Sequence, residues 1–89
     1  PLMNYELPSV HGTRADLAEP VARPALTAAG RDARAIDIAC HEGWFAHQLL
    51  DWGAREVVAV DIRDVNVRRA RLVRDHFGVP ADRLQVSQG

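Results

Sequence analysis

Two short apolar runs flank a helical pattern in the middle of the chain. The first run, Ala35–Ile38, carries one internal carboxylate, and the second, Val57–Val60, is apolar throughout. Such runs are typical of strands in a parallel sheet that is covered by helices. Between them, residues 44–52 place apolar side chains at helical spacing, and Gly53 is a typical helix end. The order strand, helix, strand predicts a βαβ unit.

The pattern returns to helical spacing after the second strand. Apolar side chains predict a helix over Val65–Phe77, with Gly78 as its stop and Leu84–Val86 as the start of a third strand. We therefore predict an α/β fold with a parallel sheet that helices cover on both faces. The polar side of this helix predicts two ion pairs four residues apart, which are Asp64–Arg68 and Arg71–Asp75.

The chain before the first strand has a different character. Residues 1–13 have no clear period, so residues 1–34 are predicted to be an irregular lead-in followed by short helices, and residues 35–89 the βαβαβ unit. The alanine-rich part predicts one or two helices with a break near Arg23-Pro24, because proline removes a helical hydrogen bond. Its predicted buried stripe consists of Val21, Ala25, Leu26 and Ala29.

Two features of the βαβ unit converge on one crevice. Parallel strands joined by a helix bring their carboxyl ends to one edge, where open α/β sheets bind ligands. The turn 39–43 and Asp61 should therefore meet there. A helix N-terminus offers free N–H groups to a ligand, and a carboxylate can accept both hydroxyls of a ribose. The simpler structural alternatives are that Asp37 caps the turn amides and that Asp61 caps the next helix.

Composition excludes several classes of protein. The chain has 89 residues, 47% of them apolar, and a net charge of −1, which gives no reason to expect a nucleic-acid partner. No apolar run approaches the roughly 20 residues that span a bilayer, so no membrane partner is expected. A single cysteine, Cys40, precludes an internal disulfide and fits a reducing compartment, so a cytoplasmic location is predicted.

Cys40, His41 and His47 invite a metal or nucleophile interpretation, and we expect neither. Structural zinc needs four ligands, usually in spaced pairs, and adjacent side chains rarely align for proton transfer. A dinucleotide is also disfavoured, because the G-x-G-x-x-G pattern placed on residues 39–44 finds none of its three glycines. Cys40 is expected to be a small buried residue.

The run IDIACHEGWF followed by VVAVDI resembles motif I and the following acidic motif of class I S-adenosylmethionine-dependent methyltransferases. The motif reads roughly hydrophobic, acid, hydrophobic, G-x-G-x-G. Asp37 matches the acid and Gly43 the last glycine, whereas Ala39 and His41 replace the first two. The resemblance spans residues 35–86.

The resemblance implies a function for each matching residue. The cofactor-binding residues would be Asp37, Ala39, Cys40, His41, Gly43, Asp61 and Ile62. Asp37 would help hold the methionine end, and residues 39–43 would wrap the methionine and ribose, with Gly43 giving backbone access. Asp61 would accept the ribose hydroxyls, and Ile62 would lie against the adenine. A β-carbon at His41 crowds the turn and disfavours positive φ, so weaker binding is expected.

The resemblance also implies a Rossmann-like three-layer sandwich with a partial parallel sheet. The family has seven strands in the order 3-2-1-4-5-7-6, and this chain would supply only the 3-2-1 part. We therefore expect a piece of a longer polypeptide that is inactive alone. Its first strand would be covered by the remainder of the domain or by a second copy. The predicted function is methylation of a small molecule with S-adenosylmethionine as cofactor; no catalytic base is identified. The alternatives are a non-catalytic interaction domain of the same fold and, with less support, a dinucleotide-binding unit.

Overall fold

The computed structural model describes residues 6–89, and the side chains of residues 14–89. Three strands alternate with helices along the chain. The elements are α1 (Glu6–Ala29), a short 3₁₀ helix (Gly30–Asp32), β1 (Arg34–Ile38), α2 (Trp44–Asp51), β2 (Glu56–Asp61), α3 (Asp64–His76) and β3 (Leu84–Gln88). Every strand and helix predicted after residue 34 is present, with bounds that differ by one or two residues.

The three strands form one parallel sheet in the order β1-β2-β3. In the register of the sheet, Asp37 of β1 lies beside Ala59 of β2, which lies beside Val86 of β3. This arrangement is the predicted 3-2-1 order of a partial, Rossmann-like sheet. It brings the end of β1, the turn that follows it and Asp61 to the same edge of the sheet.

Only one face of the sheet is covered by helices in the described part of the chain. Val57 and Ala59 of β2 are fully buried on that face, whereas Ile36 and Ile38 of β1 are 66% and 78% exposed on the other. Because crossovers between parallel strands are right-handed, the helices that connect neighbouring strands in this order lie on the same side of the sheet. Helix α1 packs on α2. Of the predicted helices on both faces, the described residues supply those of one face.

Helix α1 corrects the predicted N-terminal region. It is one continuous helix from Glu6, so residues 6–13 are not an irregular lead-in, and the predicted break near Arg23-Pro24 is wrong. Residues 1–5 lie outside the described part of the chain. Pro20 and Pro24 are both exposed, so the carbonyls that lose a helical partner can reach solvent.

The buried side of α1 also differs from the predicted stripe. Val21 is 74% exposed, and Ala25 and Ala29 are exposed too, so only Leu26 of that stripe is buried. The helix instead packs on the core through residues three or four apart that lie on one side, which are Ala15, Ala18, Ala22 and Leu26. Alanines at this spacing let the helix approach α2 closely.

The core lies between the sheet and the helices. Ala46 of α2 and Ala70 of α3 are almost fully buried above the strands, and Trp52 meets Phe45 edge to face with ring centroids 5.6 Å apart. The predicted ion pair of Asp64 and Arg68 is present at 3.5 Å. The predicted pair of Arg71 and Asp75 is not, because the Asp75 carboxylate accepts from Arg74 Nε at 3.0 Å.

Candidate functional site

The turn after β1 follows a left-handed path at every second residue. Ala39, His41 and Gly43 have φ values of 62°, 53° and 89°. The Cys40 amide donates to Val60 O at 2.9 Å, and the Gly43 amide donates to Cys40 O at 2.8 Å. Left-handed geometry costs a non-glycine residue about 1–2 kcal/mol. Ala39 and His41 therefore adopt a conformation that glycine takes without strain.

Asp37 lies at the mouth of this turn, near the end of β1. Its Oδ2 atom is buried and has no hydrogen-bond partner in the described part of the chain. Burial raises the pKa of Asp37 above its usual value, while His41 and Arg14 act against that rise and Asp61 adds to it. An unsatisfied buried acceptor costs about 1–3 kcal/mol, so this atom is poised to accept a hydrogen bond.

A pocket of about 350 Å³ opens beside Asp37. One wall is helix α1, and the other consists of the end of β1, the turn and the start of α2. The lining residues are Arg14, Leu17, Ala18, Asp37, Ile38, Ala39, Cys40, His41, Glu42, Trp44 and Phe45. The pocket thus combines apolar walls with one guanidinium and two carboxylates, a combination that suits a ligand with charges of both signs.

Asp61 lies across the turn from Asp37 and is only 4% exposed. Its Oδ2 accepts from the His41 amide at 3.0 Å, and its Oδ1 accepts from the Arg63 amide at 2.8 Å and from Asn66 Nδ2 at 3.2 Å. The bond from the Arg63 amide, followed by those from His41 and Asn66, lowers the pKa of Asp61 despite its burial. Asp61 therefore ties the turn to the start of α3.

Cys40 is buried, and its Sγ donates to His41 O at 3.6 Å. Burial, together with the nearby Asp37 and Asp61 carboxylates, raises the pKa of this thiol to about 11. A thiol is a nucleophile only as the thiolate, so the thiol of Cys40 is inert at neutral pH. This agrees with its prediction as a small buried residue.

The remaining predicted site residues face different surroundings. Gly43 is buried, and a Cβ placed there would lie 3.6 Å from the Cβ of Ala70, so Gly43 brings the turn close to α3. Ile62 is 77% exposed beside Asp61. Of the seven predicted residues, the pocket beside Asp37 gathers Asp37, Ala39, Cys40 and His41. Gly43, Asp61 and Ile62 do not line it.

Sequence reasoning missed the contribution of α1 to this pocket. Arg14, Leu17 and Ala18 reach it from one side of the helix, at positions three and four apart. That spacing was the available signal, but the predicted buried stripe of this region began at Val21, beyond these positions. In the part of the chain with described side chains, no group of three His, Cys, Asp or Glu residues could hold a metal ion.

No protein-family model matches the sequence, and a search of curated proteins finds no match. Solved structures do match. The PH0226 protein of Pyrococcus horikoshii OT3 is 26% identical with a TM-score of 0.68, over 89% of this chain and 34% of that one. An S-adenosylmethionine-dependent methyltransferase of Mesorhizobium loti is 26% identical with a TM-score of 0.52, over 78% of this chain and 32% of that one.

A third structure is that of a candidate sarcosine dimethylglycine methyltransferase of Galdieria sulphuraria. It is 21% identical with a TM-score of 0.70, over 86% of this chain and 29% of that one. The chain has the class I methyltransferase fold. It spans about a third of the length of these methyltransferase-fold structures. No described helix is both long enough and apolar enough to cross a membrane.

Proposed function

We propose that this chain is the cofactor-binding part of an S-adenosylmethionine-dependent methyltransferase that acts on a small molecule in the cytoplasm. The observation that carries the proposal is the buried Oδ2 of Asp37, which has no hydrogen-bond partner among the residues with described side chains. It lies beside a pocket of about 350 Å³ at the carboxyl end of β1. Ligands of open α/β sheets bind at this edge. The methyltransferase fold of the chain supports S-adenosylmethionine as the ligand of this pocket.

The charges around the pocket fit the amino-acid end of this cofactor. Asp37 has an unsatisfied acceptor for the α-ammonium group, and Arg14 supplies a cation for the α-carboxylate. A ligand ammonium beside Asp37 would satisfy Oδ2 and reduce the cost of burying the carboxylate. Leu17 and Phe45 offer apolar surface to the methionine chain. A neutral apolar ligand would leave both charges without partners.

The nucleoside end is assigned to the neighbouring residues. Asp61 would accept the ribose hydroxyls, and the exposed Ile62 would lie against the adenine. When bound, S-adenosylmethionine supplies an electrophilic methyl group on a sulfonium. The chain's own contribution is to hold the ligand in one orientation, and positioning of this kind can supply much of a rate enhancement. The acceptor site and any catalytic base are proposed to lie outside this chain, which would be inactive alone.

Calorimetric titration of S-adenosylhomocysteine into the longest soluble polypeptide that contains these residues tests the proposal. We expect micromolar binding that Asp37→Asn weakens at least tenfold, because Asn cannot form an ion pair with the α-ammonium. Asp82→Asn removes the same charge from an exposed turn and should leave binding unchanged. No binding to a well-folded protein, or equal losses in the two variants, would contradict the proposal.

Asp61 favours a second candidate, a non-catalytic domain of the same fold that serves as an interaction module. Its carboxylate already accepts three hydrogen bonds from the protein. A residue that binds no ligand can be fully occupied in this way. If S-adenosylhomocysteine fails to bind, the second candidate replaces the first; preferential binding of NAD would instead support a dinucleotide-binding unit.

The bare sheet face suggests what covers this chain. Ile36 and Ile38 of β1 are exposed on this face, and β1 is also an edge strand of the sheet that the described residues form. An exposed apolar edge strand is prone to association. We propose that the remainder of the methyltransferase domain covers it, or a second copy where that remainder is missing. Sedimentation velocity of the chain alone should show concentration-dependent association that Ile38→Lys reduces. A monomer at all concentrations would contradict this.

A further inference from the structure

The Asp61 carboxylate has little capacity left for a ligand. A carboxylate has two oxygens with about four acceptor positions. Oδ1 already accepts two hydrogen bonds, from the Arg63 amide and from Asn66 Nδ2, and Oδ2 accepts one, from the His41 amide. A ribose diol that binds both oxygens needs one position on each. Oδ2 has one to offer, and Oδ1 has none.

The three donors differ in how easily they can leave. The His41 amide belongs to a turn whose neighbouring amides are tied to Val60 O and Cys40 O, so it is fixed by the backbone. The Arg63 amide is fixed by the start of α3, where Arg63 O accepts from the Val67 amide. Asn66 donates from its side chain, which can rotate away without backbone movement. Its bond to Oδ1 is also the longest of the three, at 3.2 Å.

We infer that Asn66 is a specificity-determining residue that competes with the ribose diol for Asp61 Oδ1. In the free protein the Asn66 amide holds the acceptor that one ribose hydroxyl needs, and ligand binding displaces it. The inference rests on the proposed function, since it concerns the same cofactor site. It predicts that removing the Asn66 donor strengthens binding, whereas a residue that supports the site would weaken binding when removed.

Two variants separate the hydrogen bond from the space that Asn66 fills. Asn66→Leu keeps nearly the same shape without a donor, and Asn66→Ala removes both. In either variant we expect S-adenosylhomocysteine and adenosine to bind roughly two- to tenfold more tightly, which is the range for removing one competing hydrogen bond. 2′,3′-Dideoxyadenosine lacks the diol and should bind both variants as it binds the unsubstituted protein. The control variant Arg69→Ala, at an exposed position of α3, should change the binding of none of the three ligands.

The experiment titrates each of the three ligands into the unsubstituted polypeptide and its variants. Calorimetry measures the binding of S-adenosylhomocysteine, and NMR chemical shifts measure that of the more weakly binding nucleosides. Tighter binding of the two diol ligands alone confirms the competition. Weaker binding, no change, or equal changes for adenosine and its dideoxy form would overturn it while leaving the proposed cofactor site intact. If no ligand binds any of the proteins, the proposed function and this inference fall together.

Discussion

The guanidinium of Arg71 donates two hydrogen bonds to the carbonyl oxygen of Val86, from Nε at 3.2 Å and from Nη2 at 2.8 Å. At the two ends of β3, Arg83 O accepts from the Val57 amide of β2 and the Gly89 amide donates to Asp61 O of β2. Because backbone groups alternate in direction along a strand, the carbonyls of Leu84 and Val86 point away from β2. Arg74 reaches the same outer edge, donating from Nη1 to Leu84 O at 3.3 Å. Two arginines of α3 thus occupy carbonyls that another strand would need.

We expect Arg71→Ala to lower the free energy of unfolding by about 1.5–3 kcal/mol, since hydrogen bonds from charged donors contribute about that much. Arg69→Ala removes the same side chain from the exposed face of the same helix and should change it by less than about 0.5 kcal/mol. Urea denaturation of both variants measures the difference. Equal effects would mean that the Val86 contact contributes nothing to stability.

Substitutions at two positions of the left-handed turn should affect stability to different extents. His41→Gly relieves backbone strain but gives the unfolded chain more freedom, so we expect a change in unfolding free energy within about 0.5 kcal/mol. Gly43→Ala imposes a φ of 89° on a residue with a β-carbon and should cost about 1–2 kcal/mol. Denaturation curves of the two variants measure these free energies of unfolding. A larger loss of stability in His41→Gly than in Gly43→Ala would contradict the strain argument.

The ionised carboxylate of Asp37 should favour ligand binding but lower the stability of the ligand-free protein. Its pKa is raised in the folded protein because of burial, so its ionised form opposes folding once the pH rises through its unfolded value of 3.8. Asp37→Asn should therefore stabilise the ligand-free protein at pH 7. The gain should disappear below pH 3.8, where the carboxyl is protonated in both states. Unfolding curves at pH 7 and pH 3 test this, and a pH-independent difference would count against it.

We expect the Cys40 thiol to be alkylated slowly in the folded protein. With its pKa raised to about 11, the folded thiol is almost entirely protonated at pH 8. Its thiolate population, and with it the rate of reaction with iodoacetamide, should be about a hundredfold lower than in the unfolded chain. Mass spectrometry of alkylated protein with and without urea measures the ratio. Equal rates in the two states would contradict the burial of the thiol.

The strands and helices after residue 34 could be predicted because their signals are local. Apolar runs and helical periodicity lie within each element, as in β2 and α3. The partner of Arg71 could not be predicted, because Asp75 is four residues away on the same helix, whereas Val86 O becomes available only when β3 lies at the sheet edge. Local spacing favoured the ion pair, and tertiary structure offered a carbonyl oxygen.

The candidate site was predictable to a similar extent. The meeting of the turn with Asp61 followed from parallel topology, and the structure places the His41 amide 3.0 Å from Asp61 Oδ2. The hydrogen bond from Asn66 to Asp61 could not be predicted in this way. Two side chains five residues apart meet only if α3 leaves β2 at a suitable angle. The share of α1 in the pocket was missed because the predicted buried stripe of this region began at Val21, whereas the pocket residues of α1 are Arg14, Leu17 and Ala18.

The sequential order β1-β2-β3 has a consequence for biosynthesis. Among the described strands, β2 pairs with β1 and β3 pairs with β2, so neither pairing waits for a distant segment. Loop closure between successive strands is short, and short closures carry a small entropic cost. The sheet can therefore assemble in the direction of translation, with β2 adding to β1 and β3 to β2 as each leaves the ribosome.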